Sequence, residues 1–128
     1  MKEFSSKWNS SKSPRKQHKY LYNAPLHIRQ NMIGVHLSAE LRKKYGRRSI
    51  SIRKGDTIKI LRGQYSKKIG NVEKVDLKNL KVFVAGIDQQ KRDGSKSPYP
   101  LQPSNLMITE LNLEDKKRQK IVDRKAKR

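Results

Sequence analysis

The sequence predicts a mainly β protein, a small barrel over residues 49–111 held between a basic N-terminal extension (1–48) and a basic C-terminal helix or tail (112–128). Apolar and polar residues alternate in "DTIKIL" and "LKVFVA", the period of a strand with one buried face. Turn signals punctuate the same stretch, with "DLKN" before the second run and Asp93-Gly94 in "KRDGSKS". Only 33% of the 128 residues are apolar, which suits one modest core. About five short strands would leave exposed edges unless the sheet closes on itself.

In chain order, residues 1–19 are rich in Ser, Lys and Arg and too poor in apolar residues to bury their own backbone. They read as an arm that orders only on its target. "LYNAPLHIRQNMIGVHL" is more apolar but has no clear period, so it reads as an extended segment docked on a surface. "HLSAELRKKYGRRS" predicts a short helix. Ser38 caps it, Glu40 suits its positive first turn, Arg42, Lys43 and Lys44 suit its negative end, and Gly46 suits a left-handed stop. Leu37, Leu41 and Tyr45 would line one face.

"DTIKIL" places Ile58 and Ile60 on one face, and "LKVFVA" places Leu80, Val82 and Val84 together. In "IGNVEKV", Val72 and Val75 fall on opposite faces unless a bulge intervenes. "PYPLQP" is a stiff connection before the strand "NLMITEL". In the last segment, Asn112 is the expected N-cap, with Glu114 and Asp115 in the first turn of a helix too polar to be stable alone.

The formal net charge is +21, and a chain this small repels itself unless a polyanion neutralises it. Both flanks are more basic, residue for residue, than the middle. The absence of Cys excludes a disulfide framework and the common zinc ribbons. The N-terminus has no apolar run of signal-peptide length, and no stretch is long and apolar enough to span a membrane.

His18, His27 and His36 are too far apart for the usual zinc ligand pairs. The carboxylates are scattered, with Asp56 read as a turn or strand-entry residue, and the serines from Ser5 to Ser13 read as linker. No catalytic constellation emerges. The chain is therefore expected to have no enzymatic activity, no cofactor and no small-molecule substrate.

"GQYSKKIG", bracketed by Gly63 and Gly70, lacks the Gly-Lys-Ser/Thr ending of a phosphate loop and runs on into strand residues. Arg62, Tyr65, Ser66, Lys67 and Lys68 instead read as a basic loop that brings its backbone close to RNA. In the N-terminal arm, Trp8, Tyr20 and Tyr22 interleave with Lys7, Arg15, Lys16 and Lys19, which suits stacking on unpaired bases or docking on the barrel itself. "KKYGRR" and "KKRQK" would pass for nuclear localisation signals but read better as phosphate contacts.

"IRKGDTIKILRGQYSKKIGNVEKVDLKNLKVFVAGI" resembles the KOW motif. "YNAPLHIR", "LSAELRKKYGRRSISIRKGD" and "PSNLMITELNLEDKKRQK" resemble the universal KOW-domain protein family of the large ribosomal subunit in its archaeal and eukaryotic form. The resemblance implies an SH3-like barrel, binding to the first domain of large-subunit rRNA, an early role in assembly, and a cytoplasmic ribosomal location near the polypeptide exit tunnel. It further implies neighbouring large-subunit proteins as partners, and nascent-chain factors at the tunnel exit through the hairpin Asp88 to Pro100. The family often carries a further glycine where this chain has Lys67.

Besides the loop and the arm residues Arg15, Lys16, Lys19 and Tyr20, the expected rRNA contacts are His27 and Arg29, then Arg42, Lys43, Arg47 and Arg48. Arg53 and Lys54 follow, then Lys91, Arg92 and Lys96 on the hairpin, and Lys117 and Arg118 at the C-terminus. A transcription elongation factor shares the motif but would need a second domain. A DNA-packaging protein would share the composition.

Overall fold

The computed structural model describes residues 4, 5, 7 and 10–126. Helices α1 (Pro14–Asn23) and α2 (Leu26–Met32) come first, followed by strand β1 (Gly34–Leu37), helix α3 (Ala39–Tyr45), β2 (Ser49–Ser51), β3 (Thr57–Ile60), β4 (Ile69–Asp76) and β5 (Lys81–Val84). The ribbon β6 (Asp88–Gln90) and β7 (Lys96–Pro98) precedes a 3₁₀ turn, Pro103–Asn105, then β8 (Leu106–Glu110) and helix α4 (Lys116–Ala126). Among the described residues no helix is long and apolar enough to cross a membrane.

Six strands form one sheet in the order β2-β1-β8-β3-β4-β5. Val82 of β5 exchanges two backbone hydrogen bonds with Leu101, at 2.9 and 2.8 Å, and the chain then turns through Pro103–Asn105 into β8 beside β3. The sheet thereby curls into a small barrel, as expected. Ile58, Ile60, Val82, Leu106 and Ile108 fill it, each at most 1% exposed. Val72 pairs with Val84, but Lys74 pairs with Phe83. That extra residue is the bulge that lets Val75 pack against the core beside Val72. Leu80 packs there too, yet it lies in the turn before β5 at φ 54° rather than in the strand.

Three expectations about the flanks are corrected. First, the sheet takes β1 from the N-terminal extension, pairing it antiparallel with β2 and parallel with β8. A boundary at residue 49 therefore separates two paired strands. Second, Pro14–Asn23 and Leu26–Met32 are helical rather than disordered or extended. Pro14 sits at the helix start, where its missing N–H costs nothing. The carbonyls at the end of α1 are gathered by Arg29, which donates to Leu21, Tyr22 and Ala24 and also reaches the Lys78 carbonyl in the β4–β5 turn. Arg29 thus ties the helical pair to the barrel and does not project outward as a phosphate contact.

Third, α4 is anchored rather than frayed. Its cap is Asp115, which accepts from the Lys117 N–H at 2.7 Å. Asn112 instead accepts from the Glu114 N–H in the preceding turn. Arg118 and Val122, four residues apart and so on one helix face, are 2% and 1% exposed. By contrast α3 follows its sequence signals: Ser38 Oγ accepts from the Leu41 N–H, and Gly46 stops the helix in the left-handed conformation.

Arg118, expected to meet RNA, instead turns its guanidinium inward onto Asp56, which is fully buried. Two parallel bonds join them at 2.5 and 2.7 Å. Asp56 also accepts from the backbone N–H of Arg53 and of Asn112, both at 2.9 Å, while Arg118 donates to the carbonyls of Asn112 and Ser51. The pair binds β2, the β2–β3 turn, the segment after β8 and α4 together.

Removing one partner of such a pair strands a charge in the core, at a cost of roughly 3–5 kcal/mol. Arg118→Met should lose about that much stability in urea denaturation. Arg124→Met, exposed on the same helix, should shift it by less than about 0.5 kcal/mol.

Candidate nucleic-acid interface

The loop from Leu61 to Lys68 joins β3 to β4. Its base is closed by Lys67 N–H to the Ile60 carbonyl at 2.7 Å and by Ile60 N–H to the Lys68 carbonyl at 2.9 Å. The two bracketing glycines have different roles. Gly63 adopts φ 98°, and a Cβ there would meet nothing within 4 Å, so its requirement is conformational and its backbone is open to a partner. Gly70 lies under β5, where a Cβ would come within 2.7 Å of Val84 Cγ1 and 3.1 Å of the Ala85 carbonyl oxygen. Gly70, expected to face RNA, is constrained by internal packing.

Lys67 adopts φ 70°, so the place where the resemblance suggests glycine keeps glycine's conformation with a lysine in it. Arg62, Ser66, Lys67 and Lys68 are exposed. Tyr65 does not project with them. Its hydroxyl donates to the Asp88 carbonyl at 3.0 Å, its ring meets Tyr99 edge-on at 5.1 Å, and Lys68 Nζ lies 5.2 Å from the ring centroid. The loop is thereby joined to the base of the β6–β7 ribbon, whose Lys91, Arg92 and Lys96 are exposed.

A second basic face surrounds α3 and β2. Lys43, Arg48 and Lys54 are exposed. Arg42 holds the Leu37 carbonyl through Nε at 2.7 Å, and Arg53 pairs with Asp115. Arg47 is half-buried, with Nε unpartnered. Arg47, Arg53 and Arg118 line one cleft with Ser49 and Ser51. In the N-terminal region Arg15, Lys16, Lys19 and His27 lie on exposed helical positions, whereas Tyr20 packs its ring 4.9 Å from that of Phe4. Tyr22 is 84% exposed. Trp8 lies outside the described residues. Lys117 is exposed on α4.

Sequence reasoning missed Asp56 as the acceptor at the centre of the fold, although it is in phase with the buried Ile58 and Ile60. It also missed Tyr99, Gln102 and Asn105, which line a cleft with the loop. These come from a separate segment, and no local pattern links them.

Among the described residues no group of acidic, His or Cys side chains could hold a metal ion. The family of the eukaryotic ribosomal proteins L26 and their archaeal counterparts matches residues 11–125. The chain belongs to that family. It is 51% identical over 116 residues to the "Large ribosomal subunit protein uL24" of Methanosphaera stadtmanae, covering 91% of this chain and 99% of that relative. A member of this ribosomal-protein family is a structural constituent of the large subunit in the cytoplasm, and not an enzyme.

In this family member a left-handed lysine costs about 1–2 kcal/mol, and glycine's greater unfolded-state entropy returns about 0.5–1 kcal/mol of that. Lys67→Gly should therefore raise the stability of the free protein by about 0.5 kcal/mol in urea denaturation.

The basic face also sets a pH response. His36, in β1, is held below its ordinary pKa of 6.5 first by burial and then by the positive charges of Arg42 and Arg48. The unfolded chain therefore binds more protons as pH falls from 6.5 through the folded value, and stability falls with it. Asp76, Asp93 and Asp115 all sit below the ordinary 3.8, chiefly through hydrogen bonds from Asn79, Ser95 and Arg53 respectively, so they titrate outside this window. His36→Gln should flatten the decline in stability just below pH 6.5, followed by denaturation at stepped pH.

Proposed function

We propose that the chain binds large-subunit rRNA, within its first domain, as a non-catalytic scaffold that folds RNA early in subunit assembly. The observation that carries this reading is the exposed cation set Arg62, Lys67 and Lys68, presented on a loop whose base is closed by backbone hydrogen bonds. A loop held in this way does not have to be ordered when it binds, and its cations meet phosphates while Gly63 keeps the backbone low. Lys43, Arg47, Arg48 and Lys54 form a second front, and α1 with α4 extends the basic surface to either side. The name of the relative, a large-subunit protein, agrees with this partner.

Neighbouring large-subunit proteins share the site. We assign the β6–β7 ribbon, with its cationic tip, to the rim of the polypeptide exit tunnel, where nascent-chain factors would meet it.

Each lysine seated on a phosphate releases counterions, so affinity falls with salt in proportion to the contacts made. Reversing both lysines in the variant Lys67→Glu, Lys68→Glu should weaken binding to an rRNA domain transcript and flatten the plot of log affinity against log salt by about 1.5. Arg124→Ala should have a smaller effect. Filter binding at several salt concentrations decides the matter: a double variant indistinguishable from wild type removes the loop from the interface.

A further inference from the structure

Among the described residues, three clefts differ in chemistry. The one between α2 and β4 mixes three carboxylates with four cations and has no aromatic ring in its wall. The one beside β2 offers Arg47, Ser49, Ser51 and Arg53 but no aromatic ring, and so suits phosphate oxygens alone. The third lies between the 61–68 loop and the segment 99–105. It measures about 290 Å³, has both tyrosines and Pro100 in its wall, and is lined by no carboxylate.

Its walls are fixed before anything binds. Tyr65 is held through its hydroxyl on the Asp88 carbonyl, and Tyr99 through its backbone N–H on the Ile87 carbonyl at 3.0 Å. The two rings meet at 60°. Lys81 Nζ donates to Gln102 Oε1 at 2.5 Å, and the Gln102 amide nitrogen has no protein partner among the described residues. The Asn105 side-chain amide has no protein partner among the described residues. Arg62 stands exposed at the rim.

We propose that this cavity takes one unpaired nucleobase of the bound RNA. The base stacks against Tyr99, its edge is read by Gln102 and Asn105, and its phosphate sits on Arg62. The inference rests on the RNA-binding reading above and adds base recognition to it. Aromatic walls with amides able both to donate and to accept are what an unstacked base requires. The volume is at the low end for small-molecule sites, enough for a single base and too small for a base pair.

The test uses the full chain with two RNA hairpins that differ only in one unpaired adenine bulge. Wild type should prefer the bulged hairpin by about fivefold, the low end of what stacking one base is worth. The salt dependence should be the same for both hairpins, because Arg62 meets a phosphate in either and stacking itself releases no counterions. Tyr99→Ala, and the milder Gln102→Ala, Asn105→Ala double variant in case the first fails to fold, should remove the preference and leave the salt dependence unchanged. Millimolar adenosine monophosphate should erase the preference while the paired hairpin stays bound.

Equal affinity of wild type for both hairpins overturns the proposal and leaves RNA binding standing. Tight binding of the mononucleotide with no bulge preference assigns the cavity to a free nucleotide and also overturns it. Failure to bind either hairpin overturns the RNA reading itself.

Discussion

The ion pair between Asp56 and Arg118 is the constraint on which the rest of the structure hangs. A fully buried carboxylate is tolerable only if its oxygens are satisfied. Asp56 receives two guanidinium bonds and two backbone N–H bonds. Those donors come from the β2–β3 turn, the exit of β8 and α4, segments more than fifty residues apart in sequence at their widest. Their convergence on one side chain sets where the last helix lies against the barrel. Without it, a segment carrying eight basic residues after Asn112 would have little apolar surface to hold it.

A chain with 32 basic side chains uses some of them on itself, and among the described residues four arginines do so. Arg29 collects carbonyls, Arg42 holds one, Arg53 and Arg118 each pair with an aspartate. A planar fork with five donors can satisfy several acceptors at once, which an ammonium on a flexible stem does less well. The lysines of the 61–68 loop and the β6–β7 ribbon remain exposed. Internal organisation by arginine thus leaves an outward layer of mobile point charges suited to a phosphate backbone.

The loop itself combines tolerance and strain. Gly63 adopts its φ without cost, Gly70 makes room for β5, and Lys67 holds a left-handed backbone against its own preference. Strain of this kind persists where the surroundings over-determine the conformation, and here the paired bonds between Ile60, Lys67 and Lys68 do so. The result places a cation where a glycine would place none.

Much of this was legible in the sequence. The alternation around Ile58, Ile60, Val82 and Val84, the Ser38 and Gly46 signals of α3, the Asp93-Gly94 turn and the need for a bulge between Val72 and Val75 all act over a few residues. Local sterics, turn chemistry and hydrogen bonding decide such features, so the residues themselves carry them. The similarity of the flanks to a ribosomal family was equally open to reading. What only the tertiary structure decided depends on partners far along the chain: β1 joining the sheet, Arg29 and Arg118 turning inward, Asp56 becoming their buried counterpart, and Tyr65 meeting Tyr99. A charged side chain has no intrinsic preference for solvent over a well-placed opposite charge or carbonyl. Which it meets is settled when distant segments pack, and by itself the sequence determined the barrel, the charge and the family but not which cations stay exposed.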